Sequence, residues 1–181
     1  MPSSTRGEIR DDNGGTVEVF ALPCDAATLQ RLLEDCFEEW RHVHFGPLVP
    51  GAAWEIAAPQ RPSFAMSDGY LTIDFGAWHC HLCTGERDDP AAKAWGARRT
   101  GRAELYRRLV DDHPVSWGLR LFNGAGDQQI TVLLPNPFIT DDQAVRDEAD
   151  WDRLALWDRL RHRYLEIGPD PLDRSSTGFR H

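Results

Sequence analysis

Nothing in this chain approaches the eighteen consecutive apolar residues of a membrane-spanning helix. The N-terminal MPSSTRGEIRDDNGG also lacks the apolar centre of a signal peptide. Basic charge is scarce: 20 Lys and Arg stand against 29 Asp and Glu, for a net charge of −9 and a pI near 5.2. That balance speaks against nucleic acid as a partner, because neutralising phosphates needs a basic face, and against adsorption to anionic membranes. Glycine-rich phosphate loops of Walker or Rossmann form are missing, since NGAGD (123–127) has neither the following Lys nor a strand-to-helix setting. There is no internal repeat. Cysteine is sparse too. Cys24, Cys36, Cys80 and Cys83, in a chain without a secretion signal, are expected to be reduced thiols of a cytoplasmic protein.

What is present points to one α+β domain. A length of 181 residues, 41% of them hydrophobic, suffices for one core. The expected organisation is a disordered leader over 1–15, a single domain over 16–168, and a tail of loop or disorder over 169–181. VEVFAL (17–22) alternates as a strand does. Asp25 then stands as N-cap before Leu29, Leu32, Leu33, Cys36, Phe37 and Trp40, which share one face of a helix. Short strands are predicted at 53–57 and 70–75, with Ser67-Asp68-Gly69 as a turn. A second helix is predicted from Asp89 as cap and Pro90 at its first position to about Val110. Trp117, Leu119 and Leu121 pair across the NGAGD turn with Ile130, Val132 and Leu134 as a hairpin. The final helix, 151–165, turns Leu154, Trp157, Leu160, Arg161 and Tyr164 inward. Strands in the middle with helices between and after them imply a mainly antiparallel sheet, its helices packed mostly on one face.

One stretch carries candidate chemistry. In DGYLTIDFGAWHCHLCTG (68–85), Gly76-Ala77 suits a two-residue turn, so that Asp74 faces His79, Ile73 faces Cys80 and Thr72 faces His81. Alternation then puts Leu71, Ile73, Phe75, Trp78, Cys80 and Leu82 on a core face, and Tyr70, Thr72, Asp74, His79, His81 and Cys83 on the other. Two imidazoles and a thiolate on one face suit a divalent transition metal, zinc before iron or copper. Three protein ligands leave a position open for water or a small-molecule substrate. Asp74 is expected to orient the His79 ring, and Glu86 to act as general base or fourth ligand. Arg120 is a candidate clamp for an anionic substrate. His42 and His44 in RHVHFG form a second HxH pair, with His44 a candidate further ligand.

Three functions fit these residues: a metalloenzyme acting on a small molecule, a non-catalytic metal-carrying or partner-binding accessory protein, and an enzyme using Cys83 as nucleophile beside a His. His79, His81 and Glu86 also match the centre of the cupin motif HxHx4E. Position 93 is Lys where that motif needs Gly, and its second half is missing. Over most of the chain from about 17 to 165, DGYLTIDFGAWHCHLCTG, VSWGLRLFNGAGDQQITVLLPNPF and DWDRLALWDRL resemble a group of uncharacterised bacterial proteins with a WHxHLCxG signature. The resemblance implies a shared fold and site, and no reaction.

Overall fold

The computed structural model describes residues 6–10, 15–49, 51–87 and 92–179. β1 (Arg6–Arg10) pairs antiparallel with β2 (Thr16–Leu22), Arg10 opposite Thr16. Helix α1 (Ala26–Glu38) opens where the Asp25 carboxylate accepts the Thr28 N–H at 2.9 Å, and it buries Leu29, Leu32, Leu33, Cys36 and Phe37. Four short strands follow: β3 (His44–Gly46), β4 (Leu48–Val49), β5 (Ala52–Ala53) and β6 (Ile56–Ala57). Next come β7 (Ser63–Ser67), β8 (Tyr70–Asp74) and β9 (His79–Cys83), which make a three-stranded antiparallel sheet. The chain continues through α2 (Ala92–Arg98), β10 (Thr100–Val110), β11 (His113–Asn123), β12 (Gln128–Leu133) and α3 (Ala155–Leu165). A seven-stranded sheet has the order β1-β2-β10-β11-β12-β3-β6, so the protein is mostly antiparallel sheet with few helices. Among the described residues, no helix is long and apolar enough to cross a membrane.

The chain divides into two compact units, residues 1–22, 104–119 and 133–181 forming one, and 23–103 and 120–132 the other. In the second, an aromatic cluster fills the interior. Phe45 stacks on Phe75 with centroids 4.9 Å apart, Phe37 meets both edge-on, and Trp78 stacks on Phe75 at 4.3 Å. In the first, the tail enters the core. Asp173 is fully buried, and its carboxylate accepts four hydrogen bonds at 2.8–2.9 Å, from Arg107 Nη1 and Trp117 Nε1 on one oxygen and from Trp157 Nε1 and Arg161 Nη1 on the other. Glu18 and Asp170 complete the set through Arg107 Nε and Nη1. Burial opposes the charge on Arg107, yet Asp173 and Glu18 outweigh it and raise its pKa.

Three expectations change. The segment read as the second helix is helical only over Ala92–Arg98, and Thr100–Val110 is an eleven-residue strand between β2 and β11. Its Ala, Glu, Leu and Arg are good helix formers. Tertiary burial of consecutive residues from Ala103 to Arg107 overrides that local preference, as a central strand can. The expected cap Asp89 and Pro90 lie outside the described residues. Secondly, the stretch read as a disordered leader contains β1. Thirdly, the stretch read as a loose tail holds a 3-10 turn, Pro171–Arg174, started by Asp170 accepting the Leu172 N–H, and Asp173 sits inside that turn.

Candidate functional site

The candidate site is built on the β7-β8-β9 sheet. Asp68 and Gly69, with φ of 49° and 77°, make the turn from β7 to β8, which is why an Asp-Gly pair stands there. Gly76, at φ 86°, turns β8 into β9, and Phe75 N–H donates to the Trp78 carbonyl at 3.0 Å. The register is the one the polarity pattern predicts: Tyr70 opposite Cys83, Leu71 opposite Leu82, Thr72 opposite His81, Ile73 opposite Cys80 and Asp74 opposite His79. Leu71, Ile73, Phe75 and Leu82 are buried, whereas Asp74, His79 and His81 are exposed. Hence the imidazoles lie on the solvent face.

The two rings come together. His79 and His81 have centroids 4.8 Å apart with planes at 66°. Thr72 Oγ1, directly across the ladder, lies 2.8 Å from His81 Nδ1, which leaves Nε2 as the nitrogen that a ligand can use. Tyr70 meets the His81 ring edge-on at 6.3 Å. Ser67, Tyr70, Thr72 and His81 line a hollow of about 420 Å³ whose polar groups are three hydroxyls and an imidazole.

The other candidates are employed elsewhere. Asp74 Oδ1 accepts the Gly76 N–H at 2.7 Å, so this carboxylate braces the turn rather than meeting the His79 ring, a correction to its expected role. Glu86 forms an ion pair with Arg99. Arg120 lies over the Phe122 ring, 5.6 Å from its centroid. His44 is half-buried on β3, opposite Ala57 of β6. Cys83 shares the strand with the histidines but is buried, and burial raises its thiol pKa against the lowering pull of Arg99, Arg98 and Arg87. Cys80 is pushed up to about 11, also by burial. Among the described residues, no three His, Cys, Asp or Glu side chains gather closely enough to hold one metal ion. Of the residues expected as ligands, His79 and His81 are the two whose rings meet.

Trp95, on α2, packs against the end of this sheet that carries Tyr70. Its indole meets Tyr70, the residue opposite Cys83, edge-on at 5.1 Å and donates Nε1–H to the Gly85 carbonyl at 3.1 Å. A Cβ on Gly69 would lie 2.6 Å from that indole, so glycine serves there for space as well as for its positive φ. Of the other tryptophans outside the helices, Trp54 is exposed, Trp78 stacks on Phe75, and Trp117 donates to Asp173.

Residues 6–166 match a family profile without an assigned role. The chain belongs to the family of unknown function DUF7676. No curated protein and no solved structure matches it. The DUF7676 match spans both histidines and ends before Asp170 and Asp173. Those two aspartates, with Arg107 and Glu18, are the side chains that sequence reading missed. One signal was available: Arg161 falls on the inward stripe of α3, and a guanidinium there demands a buried acid.

Proposed function

We propose that this protein binds a divalent transition metal, zinc before iron or copper, through His79 and His81, and that the open coordination positions hold a small molecule lying in the adjoining hollow for a metal-dependent reaction. The observation that carries the reading is the imidazole pair with its hydroxyl brace. Two imidazoles on one tetrahedral zinc, bound at about 2.0–2.1 Å, place their centroids roughly 5 Å apart, close to the 4.8 Å separation of these rings. With Nε2 of His81 on the metal, Nδ1–H donates to Thr72 Oγ1, the kind of outer contact that fixes a ligand's tautomer and raises its basicity. Ser67, Tyr70 and Thr72 offer hydroxyls to a neutral, polar substrate. Burial of the Cys83 thiol weighs against the nucleophile alternative. We place the protein in the cytoplasm, with helices mainly on one face of the sheet, as the single apolar stripe of α1 favours.

A carrier or accessory role without turnover is the second reading, favoured by the exposure of both histidines. Elemental analysis of protein purified without a metal-binding tag, followed by zinc titration, tests the first. About one equivalent of metal is expected in the wild type, falling at least 10-fold in affinity in His79→Ala and in His81→Ala with the fold intact. Full retention of metal by either variant rules out the pair as the site. A hydrolase or lyase screen of the metal-loaded protein then separates enzyme from carrier.

A further inference from the structure

β7 is an open edge of the three-stranded sheet: among the described residues it pairs with β8 and with no other strand. Phe75 N–H donates to the Trp78 carbonyl, so the main chain of Phe75, Ile73 and Leu71 faces β9, and that of Tyr70, Thr72 and Asp74 faces β7. Their partners Ser67, Ala65 and Ser63 therefore bond to β8, and the N–H and C=O groups of Phe64 and Met66 point out from the sheet edge. Natural edges are guarded by charge, proline, brevity or a bulge. β1 carries Arg6, Glu8 and Arg10, and β6 has only two residues. Within SFAMS (63–67) there is no charge and no proline, and its five pairs with β8 run unbroken. Met66 shares a face with the fully buried Leu71 yet is itself 40% exposed, so the apolar face is unfinished at this edge.

What this edge matches is itself. The segment is symmetric in character about Ala65, so two antiparallel copies centred there set Phe64 opposite Met66, Ala65 opposite Ala65 and Ser63 opposite Ser67. In that register the outward groups of Phe64 meet those of Met66, each such pair exchanging both of its N–H···O bonds, and each thioether lies beside a phenyl ring. A slip of one residue would set Phe64 opposite Ala65 and lose both the bonding and the match of polarity. Exposed charges of opposite sign flank the strand, Arg61 before it and Asp68 after it. Antiparallel self-pairing brings Arg61 of each copy beside Asp68 of the other, whereas parallel pairing would set like charges together. Asp68 also holds Arg87 at 3.0 Å, and its side chain remains 61% exposed. We infer that a second copy of this chain occupies this edge, β7 on β7 about a two-fold axis at Ala65, joining the two small sheets into one. Ser67 lines the hollow beside His81, and Ser63 of the second copy then stands opposite it, so each copy adds a hydroxyl at the rim of the other's hollow.

The experiment is sedimentation equilibrium of the untagged full-length protein at about 150 mM salt, with Ala65→Lys and Ala65→Glu measured alone and as an equimolar mixture. Ala65 is exposed, so both variants are expected to keep the wild-type circular dichroism. Five residues a side make a reversible rather than an obligate contact, and wild type is expected to dimerise with a Kd below about 100 µM. Each variant sets like charges opposite one another at the axis and is expected to weaken association at least 10-fold, even though Lys lowers the net charge of −9 and relieves general repulsion. The mixture is expected to form a heterodimer at least as tight as the wild-type dimer. The inference is overturned by a wild type that stays monomeric to about 300 µM, by an Ala65→Lys protein that dimerises as well as wild type, or by a mixture that associates no better than its components. Should Ala65→Lys lose the native circular dichroism, Met66→Glu replaces it, with the same 10-fold loss expected and unchanged affinity overturning the inference.

Discussion

His79 and His81 were legible as a pair because a strand's alternation needs only the sequence, and the polarity of each partner across Gly76-Ala77 fixed the register. The surroundings of that face were not legible. Asp74 is opposite His79 as the pattern requires, yet the nearest demanding donor is the Gly76 N–H two residues on, and the local turn wins. Cys83 has the right phase but is buried where the chain leaves β9, its carbonyl accepting from Thr100 Oγ1–H, which alternation does not report. Two expectations belong at this scale. Thr72→Val keeps the shape of the side chain and removes the hydroxyl brace, so zinc affinity is expected to fall about 10-fold while both histidines remain, as metal titration would reveal. Because burial raises the Cys83 thiol, its alkylation by iodoacetamide at neutral pH is expected to be slow with and without chelator and fast only in denaturant. Rapid labelling of Cys83 on chelation alone, mapped by mass spectrometry, would put the thiol on the ion and restore the three-ligand site.

Among the elements, those with a clean period were legible. The α1 stripe, the β11-β12 hairpin and the inner face of α3 follow from hydrophobic spacing, and Asp25 caps as its position implies. β10 was not, because a strand buried on both faces loses its alternation and its residues favour helix when read locally. The tail was missed for the opposite reason: its sequence has no apolar period, and within residues 171–179 the side chain that enters the core is the Asp173 carboxylate rather than an apolar stripe. Removing that carboxylate leaves Arg107 and Arg161 buried without their shared acid. Asp173→Asn, which also turns an amide toward four existing donors, is expected to cost about 3–5 kcal/mol, read as a lowered urea midpoint at unchanged slope. A loss under about 1 kcal/mol would mean that the tail is ordered by its other contacts.

For the whole molecule, the same cluster makes stability sensitive to acid. Burial pushes the Asp170 carboxyl up, but the Leu172 amide and the Arg107 guanidinium outweigh it and hold the group below the usual carboxylate range. A folded-state pKa below the unfolded one, near 3.9, means that the contribution of Asp170 is fully present above about pH 5 and is lost as pH falls through the folded value. The acidic composition adds a second effect with a different signature. As carboxylates protonate, a chain with 29 Asp and Glu against 20 Lys and Arg passes from net negative to net positive, and general charge repulsion then grows in wild type and variants alike. The specific effect is isolated by difference: Asp170→Asn is expected to be less stable than wild type at about pH 6, and the gap is expected to narrow steadily on acidification to about pH 2.5, as Asp170 itself loses its charge. Urea midpoints of both proteins across that range check it. A gap of constant size would show that the charge of Asp170 adds nothing to the fold.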